Sequence, residues 1–344
     1  MDLGAAASRA VWRSVEGLRG FGRRWTGGTA VQGFPPGEPG TPAGGEPAAK
    51  RRRRASGAGS GPGRLPEEPV LEVCVDTVGG VRELSERNAE CAARNPAAGG
   101  PVTRVELCSA LSEGGLTPSH GLAKKALESA AGRFQVFAMV RPRAGDFVYT
   151  QEELDVMVED IRQFHALGVH GVVFGVLTEE GGIERRACAM LAALCRSLVL
   201  DFTFHRAFDL VADMAGGLED LIALGFPRVL TSGGRPTAPE GLGTLKDLAA
   251  QCRGRLSLMV GSGVNAANVG EFVHPQLEGG FEVHSSCKQP ARSPASAAPG
   301  GLIATAAERG LCFSTSGNDY VWNVASPDLA ERTRGALDEA YRPR

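Results

Sequence analysis

Residues 103–121 read TRVELCSALSEGGLTPSHG. After Thr103 the chain alternates. Val105 and Leu107 point to one side of an extended backbone, and Arg104, Glu106 and Cys108 to the other. Gly114, Gly115 and Pro118 then break the pattern into a loop. A strand with one apolar side and one charged, thiol-bearing side needs two environments, one packed and one wet or functional. A parallel barrel supplies both, with helices against the outer face and a central axis within.

The chain around this stretch has the matching period. Short apolar runs fall at 71–76, 104–109, 134–141, 171–177, 202–208, 228–232, 256–260 and 281–286. Helical spacing fills the intervals at 78–94, 121–131, 151–167, 184–197, 214–224, 245–252 and 266–273, with a last helix at 328–341. The third helix is the most regular: Leu154, Met157, Val158, Ile161 and Phe164 share one face behind Thr150 as N-cap. Strands alternating with helices imply parallel pairing and right-handed crossovers. Eight such units predict an α/β fold, a (β/α)8 TIM barrel over residues 70–344. A doubly wound sheet would show five or six strands and a phosphate fingerprint after the first, and neither is present. QPARSPASAAPGG lies within 288–323, a connection too long for an ordinary barrel loop; it predicts an irregular segment, disordered or a lid.

Residues 1–69 are rich in Gly, Pro, Ala and Arg, with PPGEPGTPAGGEP in the middle, and predict a disordered basic tail. Two stretches resemble addresses. SRAVWRSVEGLRGFGRRW (8–25) is loosely like a mitochondrial presequence, against which stand Asp2 and Glu16. KRRRR (50–54) has the form of a nuclear import signal. A solvated charge run is the favoured reading of each. The net charge is −2, from 37 Lys+Arg and 39 Asp+Glu. The tail is net basic and the body net acidic, so no basic face suits nucleic acid. No apolar run approaches the ~18–20 residues of a membrane span. Of the eight cysteines, Cys91, Cys188, Cys195 and Cys252 fall on helical patterns, where a thiol acts as a small hydrophobe. With no CxxC pair and no secretory segment, a reducing, cytoplasmic location is expected.

The barrel reading sends the polar alternates inward: Glu72, Cys74 and Asp76 from the first strand, Arg104, Glu106 and Cys108 from the second. VRPR adds Arg141 and Arg143, FTFHRAFD adds His205 and Asp209, and the eighth strand adds Glu282, His284 and Ser286. Unpaired ions on a barrel axis cost several kcal/mol each, so these must pair or face a wet mouth. For Glu72, Arg104 and Glu106 the alternative to a functional site is a structural ion-pair plug. Arg141, Arg143, His205 and His284 lie at strand ends, where barrel active sites sit. Cys74 and Cys108 are expected at matching heights on neighbouring strands, about 4.8 Å apart. Two such thiols can share a soft ion, Cu(I) or part of a zinc site, or simply fill core. The turns TSGG (231–234) and GSGVN (261–265) are either tight turns or anion cradles.

Six stretches in order, LEVCVDTV, TRVELCSALSEGGLTPSHG, VRPRAGDFVYT, GVVFGVLTEEG, FTFHRAFD and RVLTSGG, resemble CutC, the copper homeostasis protein family. The resemblance covers residues 71–286. It implies a (β/α)8 barrel, assembly as a homo-oligomer, a role in copper handling and, in animal members, Cu(I) binding. The family's two strand-end cysteines match Cys74 and Cys108; its polar cleft matches Glu72, Arg104, Glu106, Arg141, Arg143, His205, Asp209 and His284. The chain departs from the pattern at NPAAGGPV (95–102), which expands the first connection, and at residues 260–263, Val-Gly-Ser-Gly for Pro-Gly-Gly-Gly. The resemblance also fades after Cys287.

Three functions compete. In the first, Cys74 and Cys108 hold Cu(I), and the chain buffers or delivers copper. In the second, the chain is a barrel enzyme of isomerase or lyase type acting on a small anion. There Glu106 or His205 would act as acid or base, and Glu72, Arg104, Arg141, Arg143, Asp209, His284 and Ser286 would bind substrate. The third is a nuclear or scaffold role through KRRRR.

Overall fold

A computed structural model describes residues 70–96, 99–273, 281–295, 298–312 and 319–341. The two address-like stretches in the first 69 residues lie outside the described residues. Eight parallel strands follow one another round a closed barrel. They are β1 (Val70–Val75), β2 (Arg104–Leu107), β3 (Gln135–Met139), β4 (Gly171–Phe174), β5 (Asp201–Phe204), β6 (Arg228–Thr231), β7 (Ser257–Val260) and β8 (Phe281–Ser285). β8 pairs back onto β1 with Glu72 beside His284. Helices α1 (Val78–Arg94), α2 (His120–Ala130), α3 (Gln151–Leu167), α4 (Arg185–Ser197), α5 (Met214–Ala223) and α6 (Leu242–Cys252) each follow their strand. The (β/α)8 barrel read from the alternation is the fold.

Side-chain alternation splits the apolar residues into two bodies. Val73, Val105, Val136, Val172, Phe202, Val229, Leu258 and Val283 join the large core between strands and helices. Phe137, Met139, Val173 and Cys108 form a separate small cluster inside the barrel. Gly171 marks how tightly that interior is filled: a Cβ there would come within 2.6 Å of the Phe137 ring and 2.7 Å of the Asp201 carbonyl.

The helix starts carry the expected chemistry. Thr77 accepts from the Gly80 amide at 3.1 Å ahead of α1. Thr150 and Glu153 form a reciprocal capping box at α3. After β7 the outcome differs from the helix expected over 266–273: only a 3-10 turn forms, Val269–Glu271. Asn265 and Asn268 account for it. Asn268 Oδ1 accepts from the Asn265 amide and Asn265 Oδ1 from the Ala267 amide, both at 2.9 Å. These local bonds offer the backbone an alternative to the helical ladder.

Within 288–323, expected as irregular, the described residues form β9 (Lys288–Arg292), α7 (Leu302–Glu308) and β10 (Val321–Ala325). β9 and β10 pair antiparallel, Lys288 with Ala325 and Arg292 with Val321. Helix α8 (Pro327–Tyr341) follows β10.

Candidate metal centre

The deepest polar layer is an ion network. Arg104 Nε donates to Glu72 and its Nη2 to Glu282, and the Arg104 side chain is only 3% exposed. Glu282 also accepts from Arg228 Nε at 2.8 Å, and Arg228 reaches Thr203 Oγ1 at 3.2 Å and Asp201 at 3.3 Å. Both guanidinium groups lie over the Phe137 ring, at 4.8 and 5.6 Å. Every buried charge here has a partner, the condition under which burial of ions is tolerated. Glu72 and Arg104 are both held in this network. Arg228, Thr203 and Asp201 were missed in the sequence. Arg228 had one legible signal, an arginine two residues before Leu230 in the strand RVLT.

Above this floor the register decides which groups meet. Glu72 stands beside Arg104 and Cys74 beside Glu106. Cys74 thus pairs with Glu106 and not with Cys108, contrary to the matching heights expected of the two cysteines. Cys108 lies one step beyond the end of β2, its thiol donating to Glu106 Oε2 at 3.6 Å. The ligand atoms of Cys74, Glu106 and His284 all lie within 4.8 Å of one another. His284 Nδ1 bonds Glu72 Oε1 at 2.7 Å, and its Nε2 faces Glu106 at 4.0 Å. Glu72 therefore fixes the ring so that Nε2 is turned to Cys74 and Glu106. This is the carboxylate–histidine arrangement that orients a metal ligand.

The electrostatics follow from burial. Burial opposes ionisation of Glu72, but Arg104 and His284 outweigh it and hold the carboxyl down at about 2. Burial alone would strip the proton from His284; Cys74, Glu106 and the bond to Glu72 instead raise it well above its usual value. Glu106 has no arginine of its own. Burial, with Glu72 adding to it against the pull of His284, pushes it to about 7, and its Oε1 is buried without a partner. Burial and then Glu106 push the Cys108 thiol well up. Gly115, at φ +89°, presses on this thiol: a Cβ would come 3.0 Å from Cys108 Sγ in a backbone conformation that favours glycine.

The other expected site residues fall elsewhere. Asp76 is half-buried and accepts from the Leu111 amide at 3.5 Å. Ser286 is half-buried just past β8. Arg143 turns away from the axis to Glu153 of α3 and to the Val148 carbonyl. Asp209 fills the TSGG turn that was a candidate anion cradle. It accepts from the Ser232 amide at 2.9 Å, the Gly234 amide at 3.1 Å and Ser232 Oγ at 3.0 Å. The cradle holds the protein's own carboxylate. Arg141 and His205 lie outside the Cys74–Glu106–His284 cluster.

The model of the CutC family matches residues 70–289. The chain belongs to the CutC family. The human copper homeostasis protein CutC homolog is 44% identical over 240 residues, covering 70% of this chain and 79% of the human protein. A family protein CutC of Vibrio campbellii is 45% identical over 218 residues, 63% of this chain and 81% of that protein. A crystal structure of CutC from Streptococcus agalactiae superposes with a TM-score of 0.53 at 31% identity, covering 63% of this chain and 98% of that one. The CutC match ends within β9, so β10 and α8 lie beyond it. No helix among the described residues is long and apolar enough to cross a membrane.

Proposed function

We propose that this CutC chain binds Cu(I) as cargo at the barrel mouth, through Cys74 and His284 with Cys108 as the second sulfur, and so buffers or carries copper. The observation that supports it is the convergence of Cys74, Glu106 and His284 within 4.8 Å around an imidazole that Glu72 already orients. Thiolate and imidazole are the donors a soft monovalent ion selects, ahead of carboxylate. Glu106 then has a different task. Held near neutrality, it is placed to take the proton that Cys108 must shed before its sulfur can bind. The Cys108 thiol and the His284 imidazolium lose protons on loading, so affinity falls as the solution is acidified.

The test is an anaerobic competition titration against a chromophoric Cu(I) chelator. Wild-type chain is expected to take up Cu(I) stoichiometrically, and the Cys74→Ser/Cys108→Ser double variant to take up none while keeping its circular dichroism. Unchanged uptake by a folded double variant overturns the reading.

A further inference from the structure

Two buried nitrogen donors at the barrel mouth have no partner and no part in copper binding. Arg141 stands two residues past β3. Its Nη1 holds the Glu113 carbonyl at 2.7 Å and the Gly115 carbonyl at 3.1 Å, and its Nη2 holds the Gly145 carbonyl at 3.1 Å. Its Nε is buried without a bond. His205 follows β5. Its Nδ1 accepts from the Ala207 amide at 3.3 Å, which leaves the ring proton on Nε2. That Nε2 is likewise buried and unpartnered, as is the Tyr149 hydroxyl.

The three groups belong together. Phe147 lies against both nitrogen bases, 4.8 Å from the Arg141 guanidinium carbon and 4.9 Å from the His205 ring centre. Burial first, and then the Arg141 charge, push His205 down to about 3, so the imidazole is neutral and donates. Burial raises Tyr149 to about 12, with Arg141 pulling against it, so the phenol also keeps its proton. Gly175 leaves room for the imidazole: any Cβ there would come within 2.7 Å of the His205 ring. A buried donor without a partner is destabilising, and such groups are rare in native proteins. The Arg141 cation and the neutral His205 ring against one aromatic side chain, with the Tyr149 phenol beside Arg141, are complementary to an oxyanion.

We propose that Arg141 Nε, His205 Nε2 and the Tyr149 hydroxyl bind a small carboxylate- or phosphate-bearing molecule, admitted when the 142–149 loop lifts. Arg143 is the latch of that loop, tying it to Glu153 and to the Val148 carbonyl, while Leu177 holds the Phe147 carbonyl at 2.9 Å. The same Gly115 whose carbonyl Arg141 grips packs on the Cys108 thiol, so a bound anion borders the copper ligands. The site does not depend on the copper reading and is tested on metal-free protein.

Full-length chain carrying 15N-labelled histidine is titrated with inorganic phosphate and, separately, with acetate, at constant ionic strength set by chloride. The His205 Nε2 resonance is expected to shift saturably with at least one of them. Acetate binding assigns the carboxylate class, and phosphate binding alone assigns the phosphate class. Arg141→Lys keeps the charge but removes the Nε donor and is expected to weaken binding tenfold or more; Tyr149→Phe gives a smaller loss. No saturable shift with either anion up to about 10 mM, tenfold above a millimolar Kd, overturns the proposal. Binding of equal strength in both variants overturns it too. The wild-type shift is decisive even where a variant fails to fold.

Discussion

Arg104 is the residue on which the barrel interior turns. It is the cation shared by Glu72 and Glu282, and burial of both carboxylates is tolerated because of it. Replacing it by methionine keeps much of the volume and leaves the carboxylates facing each other without that charge. Breaking a buried pair in this way costs about 3–5 kcal/mol. The pH dependence identifies the cause. In wild type Glu72 sits at about 2, below its usual 4.5. The stability it contributes is therefore complete above about 4.5 and is lost as the pH falls toward 2. In Arg104→Met the carboxyl moves above its usual range, so the folded state gains relative stability as it takes up a proton. Urea unfolding curves are expected to show a gap between the two proteins that is widest at neutral pH, narrows above about pH 4.5 as the variant's carboxyl takes up its proton, and closes toward pH 2 as wild type loses its own contribution. A gap independent of pH would mean that lost packing on Phe137, and not charge, sets the cost.

Elements show where sequence reasoning reaches its limit. Alternation alone placed Glu72, Cys74, Arg104, Glu106, Glu282 and His284 on the axis, because side-chain period is a local property of a strand. Register is not local: it is fixed by closure of eight strands, so the pairing of Cys74 with Glu106 could not be read from either strand. Arg143 departs for a related reason. Two residues past Arg141, it would share that residue's face only if the strand continued, and β3 ends at Met139. The capping box at α3 was half legible, Thr150 being the expected N-cap, whereas the Asn265–Asn268 turn that replaces a helix was not. The glycine-rich turn after β6 has a built-in anion, and its role is testable. Asp209→Ala leaves the Ser232 and Gly234 amides without their acceptor, so a loss of about 1–3 kcal/mol in thermal or urea unfolding is expected. Copper uptake should stay unchanged, since Asp209 contacts no member of the Cys74–Glu106–His284 cluster. A loss of copper binding at unchanged stability would return Asp209 to the site.

At the scale of the whole molecule, the barrel closes through its two ends: β8 pairs with β1, and α8 lies against α1. Two kinds of interaction hold that last helix. Arg87 bonds Asp328 and Glu331 at 2.7 Å each, and Arg94 reaches Glu331 at 2.9 Å. Beneath them Ala330 and Leu337 are fully buried in the large core. The ion pairs are conspicuous but wet: the Glu331 side chain is 37% exposed and that of Asp328 77%. Exposed pairs of this kind contribute about 0–1 kcal/mol, whereas truncating a buried leucine costs about 2–5 kcal/mol through lost transfer energy and the cavity left behind. Leu337→Ala is therefore expected to lower the unfolding free energy by severalfold more than Glu331→Ala in parallel urea titrations. Losses of equal size would show that charge, not apolar burial, fastens the eighth helix and so keeps the ring of strands shut.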